Sequence, residues 1–120
     1  MAATPEAAAP TISTHVLDTE RGAPAAGVHV TLSRVGDDGR PIRMTQALTD
    51  GDGRVRDLLE RPLTAGDYRL EFRLGDHGPD GPDDAFFRRL SVDLRVTDTT
   101  RSYHVPLLLS SFGMTTYRGS

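Results

Sequence analysis

Apolar and polar side chains exchange places at almost every step along several stretches of this 120-residue chain. In Tyr68-Arg69-Leu70-Glu71-Phe72-Arg73-Leu74 every second residue is apolar and the rest are charged, and Leu90-Ser91-Val92-Asp93-Leu94-Arg95-Val96 repeats the pattern. A period of two fits a strand with one face on a core and the other in water; a helix would scatter the same residues around its circumference. Val28, Val30 and Leu32, alternating with His29, Thr31 and Ser33, give a third strand, Arg43 to Thr49 a fourth and Arg54 to Leu58 a short fifth. Turn residues punctuate them at Arg21-Gly22-Ala23-Pro24, Gly36-Asp37-Asp38-Gly39, Asp50-Gly51-Asp52-Gly53 and Ala65-Gly66-Asp67. No segment of helical length carries a helical period. The spacing predicts an all-β fold, an antiparallel β-sandwich with little or no helix.

The length suits one domain with a core that needs no staples. Cysteine is absent, which removes disulfides, thiolate catalysis and cysteine–zinc sites and fits a reducing cytoplasm. Lysine is absent too, so Schiff-base chemistry is excluded. A net charge of −3 with interspersed signs offers nothing to nucleic acid or to an anionic membrane. Residues 1–10, MAATPEAAAP, lack the basic and apolar regions of a secretory signal and read as a disordered lead-in to a domain over 11–120. Asp76 to Asp84, rich in glycine, proline and aspartate, reads as a loop.

Two strands depart from the one-sided pattern. From Ser102 to Ser110, Tyr103, Val105, Leu107 and Leu109 make a core face, yet the opposite face carries His104, Pro106 and Leu108. Near the start, Ile12, Thr14 and Val16 point one way and Ser13, His15 and Leu17 the other. A second apolar face in a one-core sandwich calls for cover, most economically a partner subunit. His15 and His104 then lie at or beside an interface, partly desolvated and suited to proton transfer near neutral pH. His29 and His77 read as surface residues. The chain closes on Tyr117-Arg118-Gly119-Ser120, an aromatic, a guanidinium, a flexible glycine and a hydroxyl where chain ends are ordinarily unspecific.

Other chemistries fail on residue identity. A zinc site on His15 and His104 lacks a third ligand at a recognisable spacing, so no metal is expected. Calcium in an EF-hand loop counted from Asp50 would need a ligand at Arg54, glycine at Val55 and glutamate at Arg61. Nucleophilic-serine and phosphate-binding glycine motifs are missing. Arg54, directly after a turn, is aimed in a defined direction, although taken alone it reads as a solvated arginine. Two histidines with nearby arginines suit binding or hydrolysis of a planar, polar, anionic molecule.

Four stretches resemble the transthyretin-related 5-hydroxyisourate hydrolases: Ser13-Thr14-His15-Val16-Leu17-Asp18-Thr19 with Gly22 to Val28; Thr49-Asp50-Gly51-Asp52-Gly53-Arg54; Ala65-Gly66-Asp67-Tyr68-Arg69-Leu70; and Tyr103 to Ser110 with Tyr117-Arg118-Gly119-Ser120. The resemblance spans residues 11–120. It implies a transthyretin-like sandwich of about eight strands that pairs into dimers and then a homotetramer. It places His15, Arg54, His104 and the Tyr117–Ser120 tetrapeptide in a pocket at the dimer–dimer interface. The implied reaction opens 5-hydroxyisourate by cleaving a cyclic amide, giving 2-oxo-4-hydroxy-4-carboxy-5-ureidoimidazoline on the way from urate to allantoin, without a cofactor and in the cytoplasm. His15 or His104 would deprotonate water, Arg54 would bind substrate and steady the oxyanion, Arg118 and Ser120 would hold the ureide edges, Tyr117 would form a wall, and Gly119 would let the chain end bend in. Ser111, Met114 and Arg88 depart from the family's usual residues, and its short helix-like segment is in doubt in the loop from Gly75 to Asp84. The alternative on this fold is a thyroid-hormone-type carrier without catalysis, for which two histidines and Arg54 would be obstacles. A structural module would be an inactive monomer.

Overall fold

The computed structural model describes residues 9–75 and 85–119. Most of the expected lead-in, the loop from Asp76 to Asp84 with His77, and Ser120 lie outside the described residues. The described chain forms nine strands: β1 (Ile12–Asp18), β2 (Ala23–Pro24), β3 (His29–Val35), β4 (Pro41–Leu48), β5 (Arg54–Val55), β6 (Gly66–Arg73), β7 (Arg89–Val96), β8 (Tyr103–Leu109) and β9 (Met114–Thr116). No helix among the described residues is long and apolar enough to cross a membrane.

The strands make two sheets, one in the order β2-β1-β8-β9 with β5 also on β1, the other in the order β4-β3-β6-β7. The alternating residues do what their period demands. Ile12 and Val16 of β1 and Tyr103, Val105, Leu107 and Leu109 of β8 bury against Val30 and Leu32 of β3 and Tyr68, Leu70 and Phe72 of β6. Each large aliphatic side chain buried in this way contributes about 1.5–3 kcal/mol. Leu58, Leu59 and Leu63 leave β5 and enter the same core from the connection to β6. Arg54 to Leu58 is therefore a two-residue strand followed by a turn that buries Leu58 and Leu59 and leaves Arg56, Asp57 and Glu60 exposed, tied by Asp57 Oδ1 accepting from the N–H groups of Leu59 and Glu60. The charged half of the alternation lines up across β6 and β7, where Arg69 meets Asp93 at 2.8 Å and Arg95 meets Asp67 at 2.9 Å.

One pairing differs from the antiparallel rule. β1 and β8 run parallel, in register from Ile12↔Tyr103 to Asp18↔Leu109. Alternation fixes which face a residue takes but carries no information on strand direction, so this pair was not readable in advance. Its consequence is local: Ser13 stands beside His104, His15 beside Pro106 and Leu17 beside Leu108, all on the face turned from the core. The buried Thr14 between them donates its hydroxyl to the Val105 carbonyl at 2.6 Å, so its polar atom is satisfied on the inner face.

Pro106 is buried within the single chain, whereas Leu17 and Leu108 are only half-buried. The part of the outward apolar face left partly accessible is thus these two leucines, a narrower patch than the sequence pattern suggests. Pro106 also has no N–H to give, and the ladder between β8 and β9 lapses opposite it. It resumes as a bridge between His104 and Gly119, which brings the chain end back onto β8.

Candidate active site

The turn between Thr49 and Arg54 aims two groups at once. Asp50 Oδ1 accepts the N–H of Asp52 at 2.8 Å and that of Arg54 at 3.0 Å, and the Asp50 backbone closes the loop on Gly53 and Arg54. These N–H bonds hold the Asp50 carboxyl below its ordinary range, the bond from Arg54 contributing most. Gly53 has φ 75°, and a Cβ there would lie 2.3 Å from the Val16 carbonyl oxygen, so only glycine fits. Its own carbonyl accepts from the Val16 N–H at 2.7 Å, which ties the turn to β1. The turn therefore delivers the Asp52 carbonyl and the Arg54 side chain to the outward face of β1.

His15 meets that carbonyl: its Nε2 lies 2.8 Å from Asp52 O. A carbonyl only accepts, so Nε2 carries the proton and Nδ1 is the nitrogen left to a ligand. His104 is held differently, with Nδ1 2.8 Å from the Ser13 hydroxyl. Burial, then the charges of Arg54 and His15, push the His104 pKa below its ordinary value, while a hydrogen bond to the Ser13 backbone opposes them. A cavity of about 240 Å³ is lined by Ser13, Thr14, Arg54, Arg56 and His104. A second, of about 470 Å³, is lined by His15, Leu17, Pro24, Asp52, Arg54 and Arg56. The two share both arginines and form one groove, open to solvent.

The tail divides by parity. Gly119 comes back onto the same face as His104, donating its N–H to the His104 carbonyl at 2.7 Å. Arg118, one step away, falls on the opposite face, where its guanidinium sits 4.9 Å from the centre of the Tyr103 ring. Tyr117 is half-exposed at 54%. Neither Tyr117 nor Arg118 lines the two cavities, and Ser120 lies outside the described residues. Of the residues expected from sequence, the chain thus gathers His15, Arg54 and His104 around one groove with Gly119 behind it, and carries Arg118 elsewhere.

Three contributors were missed. Ser13 shares the outward parity of His15, and Arg56 that of Arg54, so both were open to the same alternation argument. The Asp52 carbonyl is a backbone group, for which side-chain identity gives no signal. Among the described residues no three of histidine, cysteine, aspartate and glutamate are grouped to hold a metal ion. What the groove offers is an imidazole kept neutral, a second imidazole with a fixed proton, and two guanidiniums: a proton acceptor beside positive charge. That combination suits attack of water on a polarised carbonyl.

The HIUase/Transthyretin family matches residues 12–119. The 5-hydroxyisourate hydrolase of Deinococcus radiodurans is 44% identical over 117 residues, which cover 92% of this chain and 97% of that protein. Among solved structures, the 5-hydroxyisourate hydrolase of Klebsiella pneumoniae aligns with a TM-score of 0.78 at 35% identity, covering 92% of this chain and 99% of that one. Sea bream transthyretin in complex with thyroxine aligns with a TM-score of 0.81 at 29% identity, covering 90% and 93%.

Proposed function

This chain belongs to the HIUase/Transthyretin family, and we propose on that premise that it hydrolyses 5-hydroxyisourate in urate degradation. The observation that carries the reading is the groove that joins His15, Arg54 and His104 on one outward sheet face. A cyclic amide is opened when water adds to its carbonyl carbon and the carbon–nitrogen bond breaks. His104 takes the proton from the attacking water, because burial and adjacent positive charge keep it neutral. A positioned base of this kind contributes roughly 10²–10⁴-fold. Arg54 faces the oxygen on which negative charge grows, a contact worth on the order of 10²–10³ in rate. The proton then passes to the departing ring nitrogen, and the product leaves as the carboxylate 2-oxo-4-hydroxy-4-carboxy-5-ureidoimidazoline, on the route to allantoin. His15, with Nε2 tied to Asp52, orients substrate through Nδ1.

The finer reading extends to assembly. Leu17 and Leu108 remain half-exposed beside the groove, which supports a homotetramer, a dimer of dimers, with the groove at the dimer–dimer interface. Tyr117, Arg118 and Ser120 would then contact substrate in the assembled protein, Arg118 by leaving Tyr103. The absence of cysteine supports a cytoplasmic location.

The likeness to a thyroxine-bound transthyretin favours one second reading, carriage of an aromatic ligand without chemistry. One assay separates the two. Urate oxidase generates 5-hydroxyisourate in the cuvette, and its ultraviolet absorbance is followed with and without the protein. Decay accelerated in proportion to protein concentration is expected; decay at the spontaneous rate overturns the hydrolase reading.

A further inference from the structure

The His104 ring is held on both of its inner edges, and only its outer edge is open. An imidazole joins the chain at Cγ, flanked by Nδ1 on one side and Cδ2 on the other, with Nε2 and Cε1 at the far end. On the first flank, the Ser13 hydroxyl lies 2.8 Å from Nδ1. The parallel register of β1 on β8 puts Ser13 directly opposite His104, so this contact follows from the strand pairing. On the second flank, the Gly119 backbone closes in. A Cβ added to Gly119 would stand 2.8 Å from Cδ2 and 3.3 Å from both Cβ and Cγ of His104. Gly119 is fixed there by its N–H bond to the His104 carbonyl.

We propose that Ser13 and Gly119 form a clamp of two positioning residues, in which Nδ1–H donates to the Ser13 hydroxyl and the bare Nε2 faces the Arg54–Arg56 groove. The Ser13 hydroxyl can accept as well as donate, and with Nδ1 as the donor the one lone pair of the neutral ring lies at Nε2, on the edge that neither Ser13 nor Gly119 closes. His104 itself lines the cavity with Arg54 and Arg56, so a lone pair on its open edge is available to a ligand there. The charged and titratable groups around it are His15 on β1 and Arg54 and Arg56 from β5 and the turn beyond; Arg118 and Asp98 gather at Tyr103. This role explains glycine at position 119 as a steric need, independent of any contact it makes with substrate.

The inference rests on His104 acting as the base, and its test is read in two ways. Ser13→Ala, Ser13→Thr and Gly119→Ala are compared with the unaltered protein by steady-state kinetics across pH and by ring-nitrogen NMR shifts of His104. Ser13→Ala is expected to lower kcat roughly tenfold or more, as misplacement of a catalytic group does, with KM within about twofold. It is also expected to shift the acid limb of the pH profile and to mix the two neutral tautomers, and Ser13→Thr to restore both. Gly119→Ala is expected to lower kcat while circular dichroism stays unchanged. An active Ser13→Ala protein with unchanged kcat, pH limb and His104 shifts overturns the clamp. If the unaltered protein proves inactive, the hydrolase reading fails by itself, and the NMR comparison still decides whether Ser13 sets the tautomer. Loss of folding in Gly119→Ala leaves the decision to the two serine variants.

Discussion

His104 owes its readiness as a base to what surrounds it. Burial removes water from the imidazolium, and the charges of Arg54 and His15 repel a proton, so the neutral form persists below the ordinary histidine value of 6.5. The sign is therefore defined: the rate should stay high until the pH falls below about that value and then decline as His104 is protonated. Removing a cation that depresses the value must raise it. Arg54→Gln is expected to lower kcat/KM by on the order of 10²–10³ and to move the acid limb of the remaining activity toward higher pH. A pH–rate profile checks both; a limb that stays in place shows that Arg54 does not act on the titrating group. Alternation in Ser13-Thr14-His15 and in Tyr103-His104-Val105 told which face each histidine takes. It could not tell which of their nitrogens is free, because that depends on Ser13 reaching across the sheet and on a backbone carbonyl from another turn.

The turn between Thr49 and Arg54 works as a unit. One carboxylate oxygen of Asp50 accepts two backbone N–H groups, and through them the turn presents both the Asp52 carbonyl to His15 and the Arg54 side chain to the groove. Asp50→Ala is expected to lower kcat at least about tenfold, since a small displacement of positioned groups has such effects. Asp50→Asn, which keeps an acceptor oxygen, should recover most of that loss. Steady-state kinetics of the two variants, with thermal unfolding as a control, provide the check; equal activity of Asp50→Ala and the unaltered protein would remove the turn from the mechanism. The glycines of this turn were legible as turn residues. The second demand on Gly53, room for the Val16 carbonyl, arises only from the packing of the turn on β1. The short β9 had no period to read, since three residues ending in two threonines alternate too briefly for a signal.

Over the whole molecule, the outward apolar face divides into a part the chain covers and a part it does not. Pro106 is already buried, while Leu17 and Leu108 flank the groove half-exposed. If these leucines are the seat of assembly, a charge among them would have to be desolvated without a partner. Leu108→Glu is expected to elute from size exclusion as a smaller species than the unaltered protein and to lose most of its activity. Unchanged elution and turnover would place the interface elsewhere. The sequence by itself determined that the chain is all-β, which residues of its alternating strands face the core, and that His15 and His104 face away from it. These properties follow from the two-residue period and from local turn chemistry, which neighbouring residues express on their own. Only the tertiary structure decided that β1 lies parallel to β8, that Ser13 and Gly119 flank one imidazole while Asp52 holds the other, and that Arg118 turns to Tyr103. Those facts join residues from fifteen to ninety-one positions apart, and one of them belongs to the backbone. Strand direction and register at that distance are set by how the two sheets bury their common core, which no local pattern encodes.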